Sequence, residues 1–293
     1  MLQLSEEFSS GGAHLRVDVY GSQPVDHLLE DMTFMNYRLA NVVIEPQVTR
    51  PAPGMVWRQD AAEKNVCYEN GVLTLAGGWF EGEIQRIVVA MLALEMEQVG
   101  LHPFHASAVR YRDRTIMFMG GEANHGKTMS QIEGCRRSGL VISTETTVTD
   151  ERGWAVMGSK NVFLRKRAKG TERADLPNQD QGVAKFFDET PPFVNYDDPS
   201  DIDLVILPAI DGNYDTSVVE LAAYEKEYQV YHSLMNYFNL HVLLASGLPM
   251  PMIDTDERRT RRADFGRRFA QRPSYLIRAR NPHIILDEVE RLL

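Results

Sequence analysis

The stretch TIMFMGGEANHGKT, residues 115–128, decides how the rest of the sequence is interpreted. It contains the pattern G-x-x-x-x-G-K-T, with Gly121, Gly126, Lys127 and Thr128 at its fixed positions. The apolar letters TIMFM lead into the pattern, and KTMSQIEGCRRSG, a segment compatible with a helix, leads out of it. A strand, a glycine loop and a helix in this order form the context in which the pattern binds nucleotide phosphates. The sequence therefore predicts a phosphate-binding loop, or P-loop.

The backbone of this glycine motif, residues 121–128, explains why it would hold phosphates. Glycines allow successive N–H groups to turn inward toward phosphate oxygens, and the helix that follows adds the positive end of its dipole. We expect Lys127 to reach the β- and γ-phosphates and Thr128 to place its hydroxyl on Mg²⁺. The His125 side chain is expected to face solvent while its backbone serves the loop. The predicted nucleotide contacts are Gly121, Glu122, Ala123, Asn124, His125, Gly126, Lys127, Thr128 and Met129.

Elements on both sides of the motif predict an α/β fold. Upstream, Ile84, Ile87 and Val88 follow helical spacing, and FHASAVRY is predicted to pair with TIMFMGG through the polar turn RDR. Downstream, LVISTETTVTD and DIDLVILPAID are predicted strands, GWAVMG with NVFLRKR a hairpin, and PSYLIRARNPHIILDEVERLL a closing strand and helix. We therefore predict a mixed, twisted sheet flanked by helices over residues 81–293.

Residues 1–80 predict a smaller, β-rich N-terminal portion. AHLRVDVYG and NGVLTLAGGW alternate apolar and polar residues, and the second begins with an Asn-Gly turn signal. The proline-rich EPQVTRPAPGMVW between them is predicted to be a loop.

The composition of the chain limits the kinds of binding partner and the cellular compartment that we expect for it. The formal charge of −10 over 293 residues argues against a nucleic-acid partner, which attracts basic surfaces. Apolar runs are short and broken by Gly and Pro, so no membrane span is predicted. The first residues lack the basic and apolar pattern of a secretory signal, so we expect a cytoplasmic protein. Cys67 and Cys135, far apart in sequence, are expected to be free thiols.

One segment departs from this acidic balance. Nine arginines lie between Arg258 and Arg280. Two interpretations stand: a solvated helix face whose arginines pair with local acids, or a docking surface for an anionic substrate or partner.

The order of motifs resembles the catalytic domain of HPr kinase/phosphorylase, which is itself related to phosphoenolpyruvate carboxykinase. The resemblance rests on LHPFHASAVRYRDRTIMFMGGEANHGKT, then a helix, then GLVISTETTVTD, and covers roughly residues 85–150. The terminal SYLIRARNPHIILDEVERLL is similar to the closing strand and helix of the same family. The resemblance implies an ATP- and Mg²⁺-dependent phosphotransferase that activates a hydroxyl group.

Carried over by position, the resemblance implies three catalytic residues: His105, Lys127 and Glu145. His105 matches the active-site histidine, and Glu145 matches the second of two acidic positions. Thr144 stands where the family carries the aspartate that acts as general base. Glu145 is therefore expected either to replace that base or to support Mg²⁺ together with Thr128. The substrate-loop signature of HPr kinases is missing, so the expected acceptor is a small molecule or a peptide rather than HPr.

Three functions follow from these residues. The leading prediction is an ATP-dependent kinase with an alcohol-group acceptor. The second is a nucleotide-binding accessory or regulatory protein that has lost the base, which Thr144 favours. The third is an NTPase that couples hydrolysis to motion, which would need an acidic residue directly after an apolar strand. The apolar run ends at Pro208 and Asp211 follows three residues later, so Asp211 is instead interpreted as capping a turn with Gly212. The hexameric assembly of HPr kinases is not carried over, and a homo-oligomer is left open.

Overall fold

The computed structural model describes residues 1–120, 125–163, 184–186, 193–237, 248 and 253–293. The chain divides into two compact units. Unit 1 consists of Met1–His102 and Tyr237–Arg261, and unit 2 of Pro103–Asn236 and Arg262–Leu293. The sequence predicted a boundary at residue 80. The predicted division into residues 1–80 and 81–293 stays a prediction, and the helix that begins at Glu81 packs against strands of unit 1.

Unit 1 is built on one six-stranded sheet with the strand order β3-β1-β2-β4-β6-β5. Its strands are β1 (Leu2–Ser10), β2 (Ala13–Tyr20), β3 (Val43–Ile44), β4 (Met55–Arg58), β5 (Asn65–Glu69) and β6 (Val72–Ala76). Its two helices are α1 (Thr33–Arg38) and α2 (Glu81–Gln98). Helix α2 packs against β1 and β2, where the alternating Leu15, Val17 and Val19 are fully buried. The first turn of α2 is closed by the Glu83 carboxylate, which accepts a hydrogen bond from the Phe80 N–H at 3.0 Å.

Glu7, buried on β1, holds the proline-rich loop that precedes β4. Its carboxylate accepts hydrogen bonds from the Thr49 N–H, the Thr49 hydroxyl and the Arg50 N–H at 2.6, 2.8 and 2.9 Å, and His14 Nδ1 lies 2.8 Å away. Burial by itself would raise the pKa of Glu7, but these hydrogen bonds outweigh burial and lower that pKa to about 2. The ionised carboxylate thus substitutes for the regular backbone pairing that a Pro-rich loop lacks.

Unit 2 contains most of the remaining strands and helices. Its strands are β7 (His102–His105), β8 (Ser107–Tyr111), β9 (Arg114–Phe118), β10 (Leu140–Ser143), β11 (Thr146–Thr149), β12 (Trp154–Gly158), β13 (Asn161–Phe163), β14 (Ala184–Phe186), β15 (Ser200–Asp201), β16 (Leu204–Ile210), β17 (Ser217–Glu220) and β18 (Ser274–Ala279). The helices are α3 (Lys127–Arg136), α4 (Ala223–Met235), α5 (Asp256–Phe269) and α6 (Pro282–Leu292). The unit boundaries leave the first residue of β7 and the first residues of α5 in unit 1.

A six-stranded sheet of order β10-β8-β9-β16-β18-β17 organises unit 2. Strands β9, β16 and β18 run parallel, and the outer pairs are antiparallel. Both faces are covered, because successive residues of β9 enter different cores: Ile116 and Phe118 pack with α3 and α6, and Met117 packs with Phe265 and other residues of the opposite layer. Burial on both faces explains the continuous apolar run TIMFM. The prediction of a mixed α/β fold is confirmed.

Two segments that were each predicted to be one strand form two strands in the structure. FHASAVRY forms β7 and β8, and LVISTETTVTD forms β10 and β11. The chain passes from a second sheet, of order β15-β12-β11-β7, into the six-stranded sheet between β7 and β8, and it passes back to the second sheet between β10 and β11. The predicted hairpin of GWAVMG with NVFLRKR was wrong, since β12 pairs with β11 and β13 pairs with β14. Alternation signals a strand but carries no information about its partner.

Several arginines between Arg258 and Arg280 pair with acidic side chains. Arg267 pairs with Asp264 at 2.8 Å, Arg272 with Asp201 at 3.0 Å and Arg280 with Asp215 at 3.2 Å. Only the first of these acids is local in the sequence, and Arg262 is 1% exposed, so the interpretation of a solvated helix face paired with local acids describes part of this segment.

Two further sequence predictions have outcomes in the structure. Cys67 and Cys135 are both free, as predicted, and burial raises the pKa of the Cys135 thiol to about 12. Within the described ranges, no helix is both long and apolar enough to cross a lipid bilayer.

Candidate functional site

The glycine motif lies between the end of β9 and the start of α3. Gly121, Glu122, Ala123 and Asn124, four of the predicted nucleotide contacts, lie outside the described residues. The flanking glycines are both left-handed, with φ of +78° at Gly120 and +111° at Gly126. A Cβ at Gly120 would lie 2.8 Å from the Leu207 side chain, and one at Gly126 would lie 2.5 Å from Ile210 Cδ1. Both the backbone conformation and the close approach to β16 therefore require glycine.

The N-terminal end of α3 faces the loop with its backbone donors. The first intrahelical hydrogen bond runs from the Ser130 N–H to the Gly126 carbonyl at 2.9 Å. The N–H groups of Lys127, Thr128 and Met129 therefore point out of the helix end. The Met129 side chain packs in the core beside α6, which leaves only its backbone for the predicted nucleotide contact.

His125 attaches the loop to the central sheet. Its carbonyl accepts a hydrogen bond from the Ile210 N–H at 3.2 Å, and its side chain is exposed. This is the arrangement expected for a residue that contributes its backbone to the loop.

Lys127 is a buried cation. Its Nζ donates to the Gly120 carbonyl at 3.4 Å, its one hydrogen bond among the described residues. Only 8% of the residue is exposed. Burial lowers the pKa of Lys127, and the charge of Glu145 acts in the opposite direction. An ammonium group held in this way has exchanged water for one long hydrogen bond, so an anion at the helix end would stabilise it.

His105 and Glu145 are close to each other in space. His105 lies at the end of β7, before β8, and Glu145 lies between β10 and β11. His105 Nε2 lies 3.1 Å from Glu145 Oε1, and both side chains are largely buried. Next to this pair, the Ala106 N–H donates to the Glu145 carbonyl at 3.0 Å. Helix α4 supports the same place, because the Ser233 hydroxyl donates to the His105 carbonyl at 3.1 Å. The structure thus brings His105 and Glu145, two of the three residues predicted to be catalytic, into contact, and the charge of Glu145 acts to raise the pKa of Lys127, the third.

Thr144, the residue before Glu145, has a structural role. It is 1% exposed, and its hydroxyl donates toward the carbonyls of Ser159, at 3.0 Å, and Asn161. The Ser159 hydroxyl in turn accepts from the N–H groups of Glu145 and Thr146 at 3.1 and 2.9 Å. Together Thr144 and Ser159 hold the turn that presents Glu145.

The donor set suits a phosphate better than an all-protein metal cage. Thr128 is partly buried at the start of α3, and Glu145 supplies a carboxylate. No group of three or more His, Cys, Asp or Glu residues positioned for a metal ion occurs in the described part of the chain. Mg²⁺ in phosphotransferases commonly takes one or two protein ligands and completes its shell with water and phosphate oxygens. Thr128 and Glu145 are the described residues that fit this smaller requirement.

Asp211 is a turn residue, as the sequence suggested. Its carboxylate accepts from the Asn213 N–H at 2.9 Å and from the Asn213 side-chain amide at 3.0 Å.

The sequence did not indicate two supporting residues, Ser159 and Ser233. Each is a single hydroxyl whose partners lie 13 or more positions away along the chain, so no local pattern marks it. No family model matches the chain, and no similar sequence was found among curated proteins.

Proposed function

We propose that this chain is an ATP-dependent kinase that transfers the γ-phosphate to a hydroxyl group of a small molecule or peptide. The observation that carries the proposal is the buried Lys127 ammonium at the N-terminal end of α3, directly after the glycine motif; the His105–Glu145 contact supports it. A P-loop and an HPr kinase-like fold belong to the same proposal. The order of β9, glycine motif and α3, and the parallel β9, β16 and β18, support them.

Lys127 and the end of α3 have the role of binding the β- and γ-phosphates of ATP. The buried ammonium neutralises charge on the transferring group, and the N–H groups of residues 127–129 donate to phosphate oxygens. Mg²⁺, when bound, would neutralise further charge on the phosphates. Thr128 would hold it through its hydroxyl and Glu145 would support it directly or through water. Phosphoryl transfer depends mainly on such positioning and charge compensation.

As an alternative to supporting Mg²⁺, Glu145 would accept the proton of the attacking hydroxyl. Its carboxylate is held by His105 Nε2 at 3.1 Å, and its backbone by Ser159 and Ala106. A carboxylate in a fixed orientation can act as general base when the acceptor hydroxyl comes within hydrogen-bond reach. His105 would orient Glu145 and stabilise its charge.

A second candidate is a nucleotide-binding accessory protein without transfer activity. Thr144 favours it, because the residue at the expected base position donates to two carbonyls and cannot accept a proton. The two candidates share the phosphate site and differ only in what Glu145 does.

Transfer of label from γ-labelled MgATP into a metabolite and peptide extract tests the proposal. We expect a labelled compound with the unmodified protein, none with Lys127→Ala, and at least a hundred-fold slower transfer with Glu145→Gln. Glu151→Gln is the matched control, since Glu151 is exposed and pairs with Arg268 at 3.4 Å. Nucleotide binding that depends on Lys127 without movement of label would favour the accessory protein. Unaltered transfer in Lys127→Ala would remove the glycine motif from the mechanism.

A further inference from the structure

The six-stranded sheet of unit 2 has two edges, which differ in how they are covered. At the β10 edge, the Val141 N–H donates to the Val194 carbonyl at 2.7 Å, and the Tyr196 N–H donates to the Val141 carbonyl at 2.8 Å. At the opposite edge, β17 pairs with β18, and no other strand among the described residues pairs with it. All four residues of β17 are exposed. An uncovered edge strand presents backbone donors and acceptors that can pair with another chain.

Strand β17 lacks the features that usually keep an edge strand from pairing. Its residues, SVVE, include neither proline nor lysine, and they pair one for one with residues of β18, without a bulge. Val218 and Val219 are 38% and 51% exposed, so apolar surface lies on both faces of the sheet at this edge. The one charge of the strand, on Glu220, is compensated within the chain, because Lys226 Nζ lies 3.3 Å from its carboxylate.

The hydrogen bonds between β17 and β18 indicate which backbone groups of β17 point outward. The N–H of Leu221, directly after the strand, donates to the Ser274 carbonyl at 2.9 Å. Alternate residues of an antiparallel strand bond the same neighbour, so Val219 also bonds β18. The N–H and C=O groups of Val218 and Glu220 therefore point toward the uncovered edge.

We propose that β17 pairs antiparallel with β17 of a second copy of this chain, about a two-fold axis at Val218. In an antiparallel ladder, outward-facing residues pair with outward-facing residues, so the axis passes through a residue and not between two. An axis at Ser217 or Glu220 would bring only one residue of each β17 opposite the other β17. An axis at Val218 or Val219 brings three residues opposite, so the axis lies at one of these two positions.

The carboxylate of Glu220 decides between the two positions. An axis at Val219 sets each Glu220 opposite Val218 of the other copy, which offers no side-chain donor. An axis at Val218 sets each Glu220 opposite Thr216, whose hydroxyl can donate to the carboxylate. Like charges are not opposed, and a valine pair occupies the centre. Because β17 complements itself in this register, as a two-fold interface requires, we assign the edge to a second copy rather than to a different chain.

Cysteine substitution at the axis tests the register. A Cys67→Ser background is used, because Cys67 is exposed and Cys135 is buried. Facing residues of a hydrogen-bonded antiparallel pair have Cα atoms about 5.5 Å apart, which is within disulfide range, so Val218→Cys should form a covalent dimer under mild oxidation. Val219→Cys is the matched control on the same strand. Its two copies lie diagonally across the axis, about 8 Å apart and beyond disulfide range, and should cross-link at least ten-fold more slowly.

Sedimentation equilibrium of the full chain tests the assembly without a cross-link. We expect a reversible dimer whose dissociation constant rises at least ten-fold in Val218→Pro. Proline removes an N–H that points outward and leaves the bonds of Val219 to β18 in place. Val218→Lys, which sets two like charges at the axis, should have the same effect and replaces the proline variant if that variant does not fold.

Three results would overturn the proposal, and none of them depends on the proposed kinase activity. A full chain that is monomeric at every concentration would leave the edge for a strand of a different protein. A dimer that persists unchanged in Val218→Pro and Val218→Lys would place the interface elsewhere. Cross-linking of Val219→Cys as fast as Val218→Cys would contradict the register.

Discussion

Replacing Thr144 with aspartate restores the residue that the resemblance would place at the general-base position, and we expect it to harm the protein. The Thr144 hydroxyl donates toward the carbonyls of Ser159 and Asn161 in a site that is 1% exposed. An ionised aspartate cannot donate and would place its charge against two carbonyl oxygens. Burial and these acceptors both favour the protonated acid, so the pKa of the new carboxyl should rise in the folded state.

The size of the effect follows from linkage. An unperturbed aspartate has a pKa of about 3.9, and each unit by which folding raises it costs about 1.4 kcal/mol at higher pH. A rise of two to three units, ordinary for a buried carboxyl, destabilises the variant by about 3–4 kcal/mol at pH 7. The penalty is smallest below about pH 4, where the acid is protonated in both states, and grows as pH rises to the folded pKa.

Urea unfolding of Thr144→Asp between pH 4 and pH 8 measures this penalty. Thr144→Val is the control: it loses the donor without adding a charge and should cost about 1–2 kcal/mol at every pH. Label transfer by Thr144→Asp should not exceed that of the unmodified protein, because the new carboxyl replaces the hydroxyl that holds the turn. A variant that is as stable as the unmodified protein at pH 7 and transfers label faster would refute the reasoning.

Three further predictions concern residues that shape the two units. Glu7→Gln should lower the free energy of unfolding by about 1–3 kcal/mol at pH 7. Folding lowers the pKa of Glu7 to about 2, so the ionised carboxylate stabilises the folded state above its unfolded pKa of about 4.3 and loses this effect as pH falls toward 2. If urea unfolding gave the same difference in free energy between the unmodified protein and Glu7→Gln at pH 7 and at pH 2.5, the prediction would be contradicted. Gly126 has a φ of +111°, and a Cβ at this position would lie 2.5 Å from Ile210 Cδ1. Gly126→Ala should therefore lower the free energy of unfolding by about 2–5 kcal/mol, measured by thermal unfolding. Ser159→Ala removes the acceptor of two backbone N–H groups beside Glu145; transfer should slow while ATP affinity persists, and loss of affinity alone would speak against a positioning role.

Local signals were sufficient for much of the fold. The Asn70-Gly71 turn predicted the start of β6, and both residues have positive φ, 52° and 81°. The helical spacing from Glu81 predicted α2, which ends at Gln98 shortly before Gly100, also at positive φ. Each of these signals acts within a few residues, through backbone sterics or the repeat of one element. The order of β9, glycine motif and α3 was predictable for the same reason.

By itself, the sequence determined β2, β6, α2 and the order of β9, glycine motif and a helix that begins at Lys127, whereas MVW, predicted as part of a loop, lies in β4. Only the tertiary structure decided where FHASAVRY and LVISTETTVTD break and which sheet each half joins. That decision places His105 3.1 Å from Glu145, although 40 positions separate them in the sequence. Such contacts depend on pairing between distant strands and on hydroxyls such as that of Ser159, and neither leaves a periodic trace in the local sequence.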